Sequence, residues 1–235
     1  MNRFRHRCYD KELLDAPGIP FDAIARNMQE LDVINTRLGG HGITTRGVEI
    51  LVGRERRQEP WRITEIGCGG GDNLRAIARW ARARGIAVQL SGIDWNAACI
   101  HYAMERKGNE AINFTCSDYR AARFEQAPDI IFSSLFCHHF TDAELVGQLQ
   151  WMAQHTRRGF FINDLHRHPL AYHSIKWLTK LFSRSALVKN DAPLSVRRGF
   201  RKEEWIGLME AARISTYRIH WKWAFRWLIT ATHHG

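Results

Sequence analysis

From Trp61 onward the sequence alternates short apolar runs with amphipathic stretches of helical period, and this alternation restricts the fold more than any other feature. The runs at 62–66, 88–93, 112–116, 129–135 and 159–163 read as strands. The stretches 73–84, 96–106 and 141–155 read as helices; the first places Leu74, Ile77, Ala78 and Ala81 on one face and stops at Gly85. Strands separated by helices of this length form βαβ units, which require a parallel sheet covered on both faces. Residues 215–232 alternate in strand fashion about Trp223-Ala224 and predict an antiparallel hairpin. The expected class is therefore α/β, with a mostly parallel sheet.

Two segments stand outside the alternation. Residues 1–57 read as a mostly helical N-terminal cap, in which Phe21 to Arg37 is amphipathic and ends at Gly39-Gly40. Residues 166–200 read as a lid-like insertion within a domain spanning 58–235, with a helix at 170–182 and a polar loop around Asn190-Asp-Ala-Pro193. Long insertions in compact domains serve as lids or binding segments.

Composition removes several classes. With 45% hydrophobic and 25% charged residues the chain has a globular balance and is not wholly disordered. No apolar run approaches the roughly 18 residues of a membrane-spanning helix, and the basic N-terminus lacks the apolar run of a secretory signal. Five cysteines (8, 68, 99, 116 and 137), without a Cys-x-x-Cys pair, argue against a disulfide framework or structural zinc. Reduced thiols in the cytoplasm are the expectation. The net charge of +10 would attract nucleic acid, an acidic carrier or an anionic membrane surface. Arginine is nevertheless spread along the whole chain, which reads as a solvated basic surface.

Chemistry concentrates at Glu65-Ile-Gly67-Cys-Gly69-Gly70-Gly71-Asp72, on a strand-to-helix junction. Glycines there allow a tight turn and let a ligand approach the backbone, and the next helix presents unpaired N–H groups. Flavin and nicotinamide proteins also use such turns. The nicotinamide fingerprint, however, is Gly-x-Gly-x-x-Gly, and this turn runs Gly-x-Gly-Gly-Gly-Asp. Three acids sharpen the reading: Glu65 precedes the first glycine, Asp94 closes the second strand, and Asp118, followed by Tyr119, closes the third.

In these residues the chain resembles the class I S-adenosylmethionine-dependent methyltransferases, from about Trp61 to Phe161, with the hairpin extending the likeness to the C-terminus. The resemblance implies a Rossmann-like seven-stranded sheet and S-adenosylmethionine as cofactor. Glu65, Gly67, Gly69 and Asp72 would hold the methionine part, Asp94 the ribose with Trp95 beside the adenine, and Asp118, with Tyr119, the adenine amine; Ser133, after the fourth strand, is a further cofactor candidate. Carboxylates suit these tasks as hydrogen-bond acceptors and as partners of a sulfonium.

For the acceptor the carboxyl ends of the fourth and fifth strands matter. Ser133-Ser-Leu-Phe-Cys-His138-His139-Phe140 lacks the Asn/Asp-Pro-Pro-aromatic sequence of nucleic-acid amino methyltransferases, which argues against nucleic acid. A histidine near pKa 6.5 is a well-matched base for a phenol near 10. His139 and His166 are the catalytic candidates, with His138 an alternative to His139 and Asp164 placed to orient His166. The spacing of His166, His168 and His173 matches no common metal site, so none is expected. The segments 31–40, 163–172 and 194–200 resemble a bacterial small-molecule subgroup, which implies a phenolic, quinone-type or polyketide acceptor methylated on oxygen or, alternatively, carbon. An RNA methyltransferase and a non-catalytic cofactor-binding protein are the alternatives of other classes. Tyr172, Trp177 and Phe182 would wall the acceptor pocket or pack on the sheet, and Arg37 would reach the cofactor carboxylate or lie at the surface. Oligomeric state is left open.

Overall fold

The computed structural model describes residues 3–16, 18–55 and 57–232, so residues 1–2 and 233–235 of the two expected segments lie outside it. The strands are β1 (Trp61–Ile66), β2 (Val88–Asp94), β3 (Ile112–Cys116), β4 (Ile130–Ser134), β5 (Gly159–Leu165), β6 (Tyr217–Lys222) and β7 (Arg226–Thr232). They form one seven-stranded sheet in the order β3-β2-β1-β4-β5-β7-β6. The first five are parallel, while β7 runs antiparallel to β5 and β6 antiparallel to β7. The expected sheet and hairpin are both present.

The helices are α1 (Phe21–Arg37), α2 (Gly40–Val52), α3 (Asp72–Arg84), α4 (Ala97–Glu105), α5 (Asp142–His155), α6 (Pro169–Phe182), α7 (Ala186–Arg198) and α8 (Lys202–Ala211). Side chains alternate along each strand, and both sheet faces are covered, which explains why the central strands are apolar throughout. On one face Ile131, Phe160, Ile162 and Ile229 pack with Leu149 of α5 and Trp205 of α8. On the other, Ile63, Phe132, Phe161 and Leu228 pack with Val48 of α2 and Ile77 of α3. The Phe132 and Phe161 rings stack at 4.8 Å. No helix among the described residues is long and apolar enough to cross a membrane, and all five cysteines are free.

Two local expectations are corrected. α1 ends before Gly39-Gly40 as expected, and Gly39, at φ +77°, reverses the chain into α2. That helix lies so close to the sheet that a Cβ at Gly47 would come 2.5 Å from the Phe161 ring. Residues 3–16 form no α-helix but a strap with one 3-10 turn at Leu13–Asp15. The polar loop around Asn190–Pro193 lies inside α7. Proline removes one helical hydrogen bond and crowds the preceding turn, but here Pro193 is buried between neighbours, and Asp191 accepts the N–H groups of Leu13 and Leu14 at 2.8 and 3.0 Å. The strap and the insertion thus order one another.

Candidate functional site

β1 lies between β2 and β4, so the chain direction across the sheet diverges at its carboxyl end, the place where open α/β sheets bind ligands. A cavity of about 790 Å³ opens there. Its walls come from the glycine turn, the strap, α1, the turn after β4, α6, α7 and the hairpin tip.

At one end lies the glycine turn. Gly67 has φ +67°, and a Cβ on it would meet the Phe136 ring at 2.2 Å. Any side chain there would be strained and would collide. The Gly69 N–H donates to Asp94 Oδ2 and the Asn96 N–H to Asp94 Oδ1, both at 2.9 Å, which ties the turn to the end of β2. Burial raises the Asp94 pKa. Glu65 is 1% exposed; its Oε1 accepts from Asn73 Nδ2 at 3.0 Å, and Oε2 has no partner among the described residues. Burial, then the Asp72 charge, pushes its pKa well up. Asp72 accepts from Asn35 Nδ2 at 3.1 Å and pairs with His41 Nε2 at 2.8 Å. Burial would raise its pKa, but His41 outweighs it and holds the carboxyl low. Trp95 sits exposed on the rim.

Arg226 also lines this cavity, and sequence reasoning missed it because it lies within the Trp-rich hairpin that reads as core. It is buried, its Nη2 donates to Asn35 Oδ1 at 2.8 Å, and its Nη1 has no partner among the described residues. Burial lowers its pKa to about 10, so it stays charged at neutral pH.

At the other end stand the histidines. His138 and His139 both line the cavity, but their environments differ. His138 is buried; its Nδ1 pairs with Asp164 Oδ1 at 2.8 Å and its Nε2 faces Glu12 Oε1 at 3.4 Å. Burial alone would lower its pKa, yet the Asp164 and Glu12 carboxylates outweigh that and hold it up to about 9. Burial likewise opposes ionisation of Glu12, but the two histidines bring it down to about 2. His139 is more open, with Nδ1 at 3.4 Å from Asp15 Oδ2 and Nε2 at 3.8 Å from Glu12 Oε2. Glu12 and Asp15 come from the strap, whose place is set by Arg7: its Nε donates to the Arg198 carbonyl at 3.1 Å and its Nη2 to the Phe140 carbonyl at 2.8 Å. No local pattern marks these two acids.

Several expected site residues are not brought to the cavity. Asp118 pairs with Arg120 and caps the 3-10 turn that follows it. Tyr119 packs into the core against Trp151 and Phe136. Ser133 is fully buried with its Oγ 3.3 Å from Cys137 Sγ. His166 lies on the hairpin side, 4.9 Å from the Trp227 ring, and accepts from Trp221 Nε1 at 3.2 Å. Burial, then His168, lowers its pKa to about 4. Asp164 therefore orients His138, not His166. Arg37 is exposed and does not line the cavity. Two clusters, Glu12–His138–His139 and Asp32–His41–Asp72, bring metal-ligating atoms within 4.8 Å of one another, but in each the histidine nitrogens already face carboxylates.

The residues fit the cofactor that the glycine turn implies. Glu65 offers an unused buried oxygen for an ammonium, Arg226 an unused N–H for a carboxylate, and Asp94 keeps acceptor capacity beyond its two backbone bonds. Residues 63–159 match the family described as methyltransferase domain. No curated protein matches the sequence. Among solved structures, the plantazolicin methyltransferase BpumL in complex with S-adenosylhomocysteine is similar at TM-score 0.65 and 16% identity, over 90% of this chain and 94% of that one. Human N-acetylserotonin methyltransferase with S-adenosylmethionine gives 0.65 and 15%, over 91% and 56%. Magnesium protoporphyrin IX methyltransferase from Synechocystis PCC 6803 gives 0.56 and 12%, over 86% and 87%. A methyltransferase domain thus occupies residues 63–159, and the glycine turn and its acids gather at the switch point of a sheet whose fold these methyltransferase structures share.

Proposed function

We propose that the chain is an S-adenosylmethionine-dependent methyltransferase that acts on an oxygen of a small, largely apolar aromatic or polyketide-type acceptor, with His139 as general base. The observation that carries this reading is the apolar part of the cavity lining, where Leu135, Phe136, Phe140, Ala171, Ile175 and Val188 share the cavity with His139. An apolar wall with few polar groups suits a small, flat acceptor. The cavity also carries Glu12, Asp15, Glu65, Asp72, Asp94 and Asp191 against Lys11, Arg198 and Arg226. This acidic interior opposes a nucleic-acid substrate despite the net charge of +10. The structural neighbours named above are methyltransferases for plantazolicin, N-acetylserotonin and a magnesium porphyrin, which supports an acceptor of small-molecule type.

The bound cofactor supplies a methyl group made electrophilic by its positive sulfur. In the proposed site Arg226 holds a carboxylate, Glu65 accepts from an ammonium, Asp94 accepts from ribose hydroxyls, and Trp95 covers the adenine. His139 takes the acceptor proton, and Asp15 beside Nδ1 keeps the ring oriented and favours the imidazolium that forms. His138, held protonated between Asp164 and Glu12, is no base but fixes the turn that carries His139. The strap and the insertion keep water from the acceptor.

The test is label transfer from methyl-labelled S-adenosylmethionine to a panel of phenolic and polyketide-lactone acceptors, with the methylated atom assigned by NMR. A methyl ether is the expected product. A new carbon–methyl bond would overturn the oxygen assignment, and efficient labelling of RNA would overturn the acceptor class.

A further inference from the structure

The acceptor cavity accounts for only one side of α6. Ala171 and Ile175 line the cavity and Tyr172 packs against Phe4, but Trp177 and Phe182 neither wall the pocket nor pack on the sheet. Leu170 is 62% exposed, Trp177 61%, Leu181 67% and Phe182 78%. The first three recur at helical spacing, so they form one outward stripe, while Phe182 is exposed at the end of the helix on the side of Ile175. This is an unusual burden of exposed apolar surface for one helix.

The charge around the stripe is predominantly positive, with Glu30 of α1, which accepts from the N–H groups of Arg184 and Ser185, the acid at its end. Between Asp164 and Asp191 the sequence contains no acid. Lys176, Lys180, Arg184 and Lys189 are exposed there and have no carboxylate partner among the described residues. The Lys180 ammonium lies 5.7 Å from the Trp177 ring, on the flank of the stripe. Leucine and tryptophan on one face with lysines beside them is the composition of helices that lie in a bilayer interface. The hairpin tip extends this surface: exposed Trp223 and half-exposed Leu178 both border the cavity mouth.

We infer that the outer face of α6, with the hairpin tip, docks on an anionic phospholipid bilayer and holds the cavity mouth against it. The flanking cations oppose pairing with a second copy of this +10 chain, and they complement acidic headgroups. Tryptophan and the leucines would reach the acyl boundary while the lysines stay among the headgroups. The inference goes beyond the proposed reaction and does not rest on it. It would give an apolar acceptor a short route from the lipid into the site.

The experiment is flotation of the full chain with vesicles of phosphatidylcholine alone and of phosphatidylcholine with phosphatidylglycerol. Calorimetric titration with S-adenosylhomocysteine serves as the control for folding. The protein is expected to bind the anionic vesicles at least about tenfold more tightly than the neutral ones. Combined Trp177→Ser, Leu181→Ser and Phe182→Ser should weaken that binding at least about tenfold, and Lys176→Glu with Lys180→Glu by a similar factor, with S-adenosylhomocysteine affinity kept. No flotation with anionic vesicles by a protein that still binds S-adenosylhomocysteine would overturn the inference. So would flotation indifferent to the serine substitutions, or a serine variant whose only change is loss of a dimer.

Discussion

The two ends of the cavity are built in opposite ways. The end with the glycine turn comes mainly from one short stretch, Glu65 to Asn96, whose turn is tied within its own βαβ unit, with Asn35, His41 and Arg226 joining it from outside. The histidine end draws Glu12 and Asp15 from the strap, His138 and His139 from the turn after β4, and Asp191 and Arg198 from α7. Ser195 bonds Glu12 and Arg198 bonds the Asp10 carbonyl across most of the chain. A local end is fixed by backbone geometry, so it tolerates little change in the turn itself. A composite end is fixed by side-chain contacts, so it is where acceptor preference can vary while the cofactor site stays as it is.

That contrast can be broken most directly at His139. His139→Gln should lower turnover about 10² to 10⁴-fold, the range for a lost general base, with S-adenosylhomocysteine affinity within about twofold by calorimetry. His166→Gln should leave turnover within about threefold, because that ring lies outside the cavity. Equal effects at the two histidines would remove His139 from its role. At the local end, Gly67→Ala forces a side chain into positive φ and against Phe136. It should weaken S-adenosylhomocysteine binding about 100-fold while circular dichroism keeps its native shape; affinity within threefold of the parent would mean the turn is softer than its packing implies.

The composite end should also carry a pH signature. The folded pKa of His138 lies near 9, above the ordinary value near 6.5, so the native state binds the extra proton between these values. The stability from this pairing is complete below about pH 6.5 and is lost as pH rises through 9, on the order of 3 kcal/mol. Denaturant unfolding from pH 6 to 10 should therefore give a falling stability whose slope flattens in His138→Gln. An unchanged slope would assign it to other groups. The smallest effect separates two acids that sequence alone treats as equals. Asp94→Asn, at the tie between β2 and the glycine turn, should cost about tenfold in S-adenosylhomocysteine affinity, and Asp118→Asn, paired with Arg120 outside the cavity, less than about threefold. The reverse order would draw Asp118 into the site.

The same contrast explains what was legible in the sequence. The strand runs, the glycine turn and the hairpin follow from period and from residues with special backbone freedom, and these are local properties. The strap is not legible in the sequence because residues between Arg7 and Leu14 bond to α7, a partner that no window of sequence contains. Pro193 suggested a loop because its cost is local, whereas the packing that offsets it is not. His138 and His139 cannot be told apart in the sequence. Only the arrival of Asp164 from β5 and Glu12 from the strap makes one a fixed cation and leaves the other open to the cavity.

The strap has a consequence for how the protein is made. Residues 3–16 leave the ribosome long before Asp191, Ser195, Arg197 and Arg198, which they must bond and which follow only after the first five of the seven strands. Contacts of such long sequence separation close late because the loop entropy must be met before they form. During synthesis the glycine turn can therefore take shape in an N-terminal portion of the chain while the acceptor end remains open. The strap then acts as a late step of assembly, and the histidine end of the cavity is enclosed only when α7 is in place.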